Sequence, residues 1–219
     1  VGAHEAMTFD CWAALWSLPA ALGITLANLP APARFLQTRP EDVARWRDKL
    51  DTISSARVTS GARALRIGIV WQGQFAGQDN QMADRSIPPR LMRQFVEAHP
   101  EHLWVSLQHG APALGAAHLI DWTAETVEFT QMAALIDALD LVISIDTGAA
   151  HLAAALGAHT WVPLREAGDW RYGVSGAACA WSPTMRLFRQ DRSRRWEPVL
   201  AQIGDALTSH SVRGEPVEP

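Results

Sequence analysis

The sequence predicts an α/β fold: a Rossmann-like parallel sheet with helices on both faces. Three observations carry this. Short apolar, often β-branched runs recur at 65–71 (LRIGIVW), 103–107 (LWVSL), 119–122 (LIDW), 141–145 (LVISI), 159–164 (HTWVPL) and 185–190 (MRLFRQ), as buried strands do. Helix-forming stretches alternate with them over short connections, the ordering of a parallel sheet. Finally, Leu141 to Gly157 (LVISIDTGAAHLAAALG) packs a strand, a tight turn and a helix into one stretch.

Bulk properties bound the reading. The chain has 219 residues, 48% of them hydrophobic, enough for a core and for one large domain or a domain with an appendage. A net charge of −4 argues against a general nucleic-acid binder, which is usually basic. Cys11 and Cys179 are too few and too far apart for a disulfide framework or a metal site, so a reducing, cytoplasmic setting is expected. No apolar run reaches the length of a membrane span. Ten tryptophans stand beside one tyrosine, and several fall in loops, where they are placed to stack on a ligand or on another domain.

Taken in order, Phe9 to Gly23 is apolar and expected to be partly helical as far as Pro19. Residues 27–40, with Pro30, Pro32 and Pro40, read as an extended connector. Pro40-Glu41-Asp42 opens a helix to about residue 50 or 53, acids first and Arg45, Arg47 and Lys49 later, matching the helix dipole. Residues 54–64 form a second linker. The expected division is a connector over 1–63, a compact lobe over 64–208, and a disordered tail over 209–219, which is polar and proline-bearing.

Within the lobe, the first strand runs into Trp71-Gln72-Gly73 and then a polar loop ending at Arg85. A glycine just after a strand lets backbone approach a ligand closely. Arg85 either grips a diphosphate in bidentate fashion or is a solvated loop arginine. A helix over 90–99 follows. The strand at 103–107 ends in Gln108, which either reads a base or sugar edge or simply turns the chain. An apolar helix over 129–139 precedes the strand at 141–145. The strand at 159–164 meets a loop carrying Asp169, Trp170 and Arg171, and a closing helix spans 196–207.

The corner at 146–151 concentrates the chemistry. Asp146 or Thr147 is placed to cap the helix. The first-turn amides of Gly148, Ala149 and Ala150 would lie unpaired at the positive end of the helix dipole, and Gly148 has no side chain to keep an anion away. His151 can turn its ring toward the same spot. The same pattern also describes an ordinary strand-to-helix corner. In a parallel sheet, however, the loops after 71, 108, 145 and 164 share one rim, where ligands bind. That convergence favours Arg85, Gln108, Asp146, Thr147 and His151 as a site, with Trp71, Asp169, Trp170 and Arg171 as further cleft-lining candidates.

Ile143 to Gly148 followed by His151 to Gly157 resembles the D-[ST]-G-x-x-H-[LIV]-A-x-A-L-G element of the ADP-heptose:lipopolysaccharide heptosyltransferases, glycosyltransferase family 9. It is still more similar to the glycosyltransferase-like domain at the carboxyl end of bacterial tetratricopeptide-repeat proteins. Those share, in order, the elements seen here at Arg66–Gly73, Arg85–Pro88, Val105–Gln108, Asp169–Arg171 and Arg186–Gln190. Residues 65–207 carry the resemblance, and Phe9 to Gly23 is similar to the segment joining the two lobes of that fold.

The resemblance implies the carboxyl-terminal lobe of a GT-B fold, with residues 1–63 a remnant of the facing lobe. It further implies a nucleotide-sugar partner whose diphosphate meets Gly73, Arg85, Thr147, Gly148, Ala149 and His151. The acceptor, protein or glycan, and the catalytic base would belong to the absent amino-terminal lobe, beside tetratricopeptide repeats. No cofactor is expected beyond the nucleotide-sugar, and no metal, since no D-x-D pair lies near the rim. The competing reading is a non-catalytic scaffold module of the same fold. A nicotinamide dehydrogenase fits less well, because Trp71-Gln72-Gly73 stands where G-x-G-x-x-G belongs.

Overall fold

The computed structural model describes residues 10–55, 64–73 and 85–213. One seven-stranded sheet organises them, in the order β3-β2-β1-β4-β5-β7-β6. The strands are β1 (Arg66–Val70), β2 (Leu103–Ser106), β3 (Leu119–Asp121), β4 (Leu141–Ser144), β5 (Thr160–Leu164), β6 (Ala178–Cys179) and β7 (Ser182–Arg189). All pairings are parallel except β6 with β7. Helices α1 (Leu18–Ala21), α2 (Pro40–Ser55), α3 (Pro89–Ala98), α4 (Phe129–Ile136), α5 (Gly148–Ala155) and α6 (Glu197–Arg213) complete it.

Alternation along the strands sorts the core into two layers, as the two-residue period requires. Ile67 and Ile69 of β1, with Leu141 and Ile143 of β4, face α3 and α6 through Met92, Val96, Val199 and Ile203. Val70, Val105 and Val142 face the other way, toward α2, α4 and α5. Gly68 on that second face has Leu107 and Leu139 where a Cβ would stand, at 2.6 and 2.7 Å, so the sheet and its cover meet there without room for a methyl group. Helix α2, expected within the connector, sends Val43, Trp46 and Leu50 into the second layer.

The strand order fixes where a ligand can bind. The chain steps outward from β1 through β2 to β3, then returns to lay β4 on the opposite side of β1. The connections therefore diverge between the carboxyl ends of β1 and β4, opening a crevice there, as at the switch points of other open α/β sheets.

Several local expectations need correction. Pro19 does not stop the amino-terminal helical segment: a 3-10 turn at Leu15–Ser17 leads into α1 with the proline in its first turn, where a missing N–H costs nothing. Strand β7 begins at Ser182 and pairs with β6, a two-residue strand too short to carry a sequence signal. Residues 209–213, expected in a disordered tail, continue α6 as far as Arg213, because nothing before Gly214 breaks a helix. Residues 214–219 and the polar loop over 74–84 lie outside the described residues.

Helix α5 ends where Gly157 adopts φ +72°. Gly157 N donates to Ala154 O and Ala158 N to Ala153 O, a paired closure of the last carbonyls that needs the left-handed residue. A Cβ on Gly157 would stand 2.6 Å from Ala33 O, so the connector crosses the helix end at backbone distance. Phe35 and Leu36 donate their amides to Ala155 O, and Arg34 grips Asp137 beyond the end of α4 with two hydrogen bonds of 3.1 and 2.8 Å.

Candidate functional site

The strand-to-helix corner has the geometry its residues suggest, with one change in who caps it. Thr147 occupies the N-cap position in extended conformation, φ −145° and ψ 169°, yet its side chain accepts from no first-turn amide. Its hydroxyl instead pairs with Ser144 Oγ at 2.9 Å, and Ser144 in turn donates to Ile145 O. Asp146 does not cap the helix either. Neither of these side chains thus satisfies the positive pole at the amino end of α5. Around Gly148 nothing lies within 4 Å of a would-be Cβ, so the corner is open. The buried alanines at 149, 150, 153 and 154 bring α5 close to the sheet and fix the direction of that open end.

Two clefts flank this corner on the carboxyl rim. The first, about 280 Å³, runs from Thr147, Gly148 and Ala149 across to Gln72 and Gln108, walled by the apolar Leu107, Phe129 and Met132. The second, about 170 Å³, lies between Asp146 and the end of β5, where Arg165, Gly168 and Asp169 close it. Arg85 borders both.

Arg85 is positioned by Gly73. A Cβ on that glycine would stand 2.5 Å from Arg85 Nε, so the absence of a side chain makes the seat for the guanidinium. This corrects the expectation for Gly73, whose bare backbone meets Arg85 rather than lying open to a ligand. Its amide donates to Ser86 Oγ at 3.1 Å, which ties the two ends of the loop together. Arg85 Nε is buried and has no hydrogen-bond partner among the described residues. A guanidinium so held, its Nε unpaired among the described residues, can offer that N–H to an anion.

Gln108 differs most from its expected role. It is 6% exposed, and its amide is fully used. Oε1 accepts from the amides of Trp71 and Gln72, at 3.1 and 2.8 Å. Nε2 donates to the carbonyls of Gln72 and His109, both at 3.0 Å. Two lone pairs and two hydrogens are all a side-chain amide has. Gln108 therefore clamps the ends of β1 and β2 together and shapes the first cleft; it is not free to read a base. Trp71, expected to line the cleft, is instead a core residue, 2% exposed among Ile87, Met92 and Trp104.

Asp146 and His151 form a group with a residue the sequence reading did not single out. Asp146 Oδ1 accepts from Tyr172 OH at 2.8 Å and lies 3.3 Å from His151 Nε2. Burial pushes the Asp146 carboxyl up, but the hydrogen bonds from His151 and Tyr172 and the positive charges of His151 and Arg171 outweigh it and hold it below the usual range. The Tyr172 phenol is pushed well above its ordinary value, by burial first and then by the Asp146 charge, so it stays a neutral donor. His151 borders neither cleft; its ring stacks on Tyr172 with centroids 6.3 Å apart.

In the remaining loop, Asp169 lines the second cleft and accepts from Arg171 N at 3.0 Å, capping a short 3-10 turn at Trp170–Tyr172. Arg171 pairs with the same carboxylate at 3.2 Å. Trp170 is exposed and meets Trp181 edge-on, away from the cleft walls. His109 and Phe129, both on the wall of the first cleft, carried no signal of their own. His109 merely follows Gln108, and Phe129 reads as the first apolar residue of a helix. Among the described residues no group of three or more His, Cys, Asp or Glu side chains is arranged to hold a metal ion.

Residues 123–160, which span β4, the corner and α5, match the family model for glycosyltransferase family 9 (heptosyltransferase). The chain folds like E. coli ADP-heptose lps heptosyltransferase II, with a TM-score of 0.58 at 14% identity, over 86% of this chain and 57% of that one. It also folds like E. coli heptosyltransferase WaaC with ADP-2-deoxy-2-fluoro heptose, with a TM-score of 0.50 at 12% identity, over 88% and 53% of the two chains. Protein FlbA of Caulobacter vibrioides is 27% identical over 210 residues, 91% of this chain and 33% of FlbA. The chain thus spans about a third of that curated relative and about half of the heptosyltransferase structures.

Proposed function

We propose that this chain is the donor-binding, carboxyl-terminal lobe of a GT-B glycosyltransferase, holding the diphosphate of a nucleotide-sugar at the amino terminus of α5. The single observation that carries the reading is the open end of α5 at the sheet's switch point, faced across the cleft by Arg85, whose Nε has no hydrogen-bond partner among the described residues. Backbone donors and a guanidinium converging on one point suit a diphosphate better than a neutral ligand. The apolar wall of Leu107, Phe129 and Met132 in the first cleft suits the flat face of a base.

In this reading the bond from the anomeric carbon to the diphosphate oxygen breaks, and its electron pair stays on the leaving group. The α5 amides and Arg85 stabilise that growing charge, the electrostatic term that often dominates catalysis. The acceptor oxygen attacks the anomeric carbon and gives its proton to a base in a facing lobe. By the sequence resemblance, that facing lobe would also hold the acceptor, a protein or a glycan. An adenine nucleotide is the first candidate, because the WaaC structure of the same fold is one with an ADP-sugar analogue.

Calorimetric titration with ADP, UDP and GDP tests the reading. ADP binding is expected, and Arg85→Ala should weaken it by about 1.5–3 kcal/mol, the range for a hydrogen bond to a charged group. Absence of binding to all three by the folded chain would instead favour a scaffold module.

A further inference from the structure

We infer that Tyr172 is a positioning residue of this site: its hydroxyl holds the Asp146 carboxylate, and through it the His151 ring, beside the open end of α5. The inference rests on the donor-site reading and assigns a role to a residue outside the family motif.

The geometry makes Tyr172 a hub. Its hydroxyl lies 2.8 Å from Asp146 Oδ1 and 3.5 Å from His151 Nε2, while that same Oδ1 lies 3.3 Å from the histidine nitrogen. The three polar atoms close a triangle, and of the three residues Asp146 lines the second cleft. Below the hydroxyl, the Tyr172 ring is buried with Ala150 and Ala154 of α5 and with Val162 and Leu164 of β5. The residue is thus wedged under the same helix whose amino end forms the anion site. Its main chain is fixed from the other side: Arg189 of β7 donates to the carbonyls of Tyr172, Gly173 and Gly176.

A buried tyrosine hydroxyl needs one acceptor, and a backbone carbonyl would satisfy it without burying charge. Here the acceptor is a half-buried carboxylate, whose desolvation must be offset by its donors. The groups facing Asp146 are His151 from α5, Tyr172 and Arg171 from the 3-10 turn, and Arg85, Arg165 and Asp169 around the second cleft. A carboxylate set against Nε2 requires that nitrogen to carry a proton and fixes the plane of the ring. Without the Tyr172 hydroxyl, Asp146 loses one of its two side-chain hydrogen-bond donors, and the ring loses its fixed partner.

Tyr172→Phe removes the hydroxyl alone and keeps the buried ring. Carbon-detected NMR titration of the Asp146 carboxyl, assigned by loss of its signal in Asp146→Asn, should show a higher midpoint in Tyr172→Phe. Calorimetry with ADP should show binding weakened about threefold to tenfold, less than removal of a direct charged contact. The double variant should bind ADP no more weakly than Asp146→Asn alone, since both changes break one link. An unchanged midpoint, an unchanged ADP affinity, or additive losses in the double variant would each overturn the positioning role while leaving the donor site standing. If the unsubstituted chain binds none of ADP, UDP and GDP, the donor site falls and the positioning role falls with it.

Discussion

At the scale of single residues, Gly148 allows the anion site to be tested without disturbing the fold. It is the first residue of α5, and the residue before it, Thr147, is already extended, the conformation proline demands of its predecessor. Proline is favoured at the first helical position, where the amide has no intrahelical partner. Nothing lies within 4 Å of a Cβ placed there. Gly148→Pro should therefore hold or raise stability, by about 0.4–1 kcal/mol through the unfolded chain. It should also weaken ADP binding, because it deletes one donor and crowds the approach. Loss of affinity with an undiminished melting temperature is the expected pattern; equal affinity in both proteins would exclude that amide from the site. That Arg85, Thr147 and Gly148 border one cleft was legible in the sequence, because loops that follow parallel strands share one rim. The role of Gln108 was not, since its identity shows two donors and two acceptor sites but not that neighbouring main chain consumes all four. Tyr172 was missed because the contact to Asp146 spans 26 positions and leaves no local pattern.

At the scale of elements, the strands with long β-branched runs were legible to within a residue or two, and so were α3 and α5, while α4 ends at Ile136, three residues short of the expected 139. What failed has a common cause. Strand β6 is two residues of a hairpin defined by its partner, and Trp71 was assigned to the cleft only because it ends a strand at the rim. The connector is the instructive case, since prolines predict an extended path but not what it touches. Here Arg34 and Thr38 both donate to Asp137, which follows α4. Burial pushes the Asp137 carboxyl up, yet those hydrogen bonds and the charges of Arg34 and Arg47 hold it below its ordinary value. The sign follows directly. A carboxyl with a depressed folded value adds stability that is present above its unfolded value, near about 4, and lost as pH falls through the folded one. Arg34 is substantially exposed, so the pair contributes no more than about 1 kcal/mol. Thermal unfolding of the unsubstituted chain and of Arg34→Ala should show a gap in melting temperature at neutral pH that closes in acid. A gap that persists once Asp137 is protonated would show that Arg34 acts through packing instead.

At the scale of the whole molecule, alternation of strands and helices made the parallel sheet readable, but it could not say which parts of the chain the sheet needs. The layers supply that answer. Residues 10–23 bury nothing, and Trp12 and Trp16 stand 84% and 86% exposed. Helix α2, by contrast, seats Val43, Trp46 and Leu50 in the layer that covers the β1, β2 and β4 face, with Trp46 against Trp122 at 5.4 Å between ring centroids. Three such side chains contribute about 1.5–3 kcal/mol each by burial, together comparable to the roughly 5–15 kcal/mol that hold a whole domain folded. A chain starting at residue 30 should keep a cooperative unfolding transition within a few degrees of the parent and the same ADP affinity. A chain starting at residue 57, which lacks α2 and the Arg34 tie, should lose that transition and expose the apolar face of β1, β2 and β4. If the shorter chain instead melts cooperatively near the parent temperature, α2 is an appendage and the lobe closes without it.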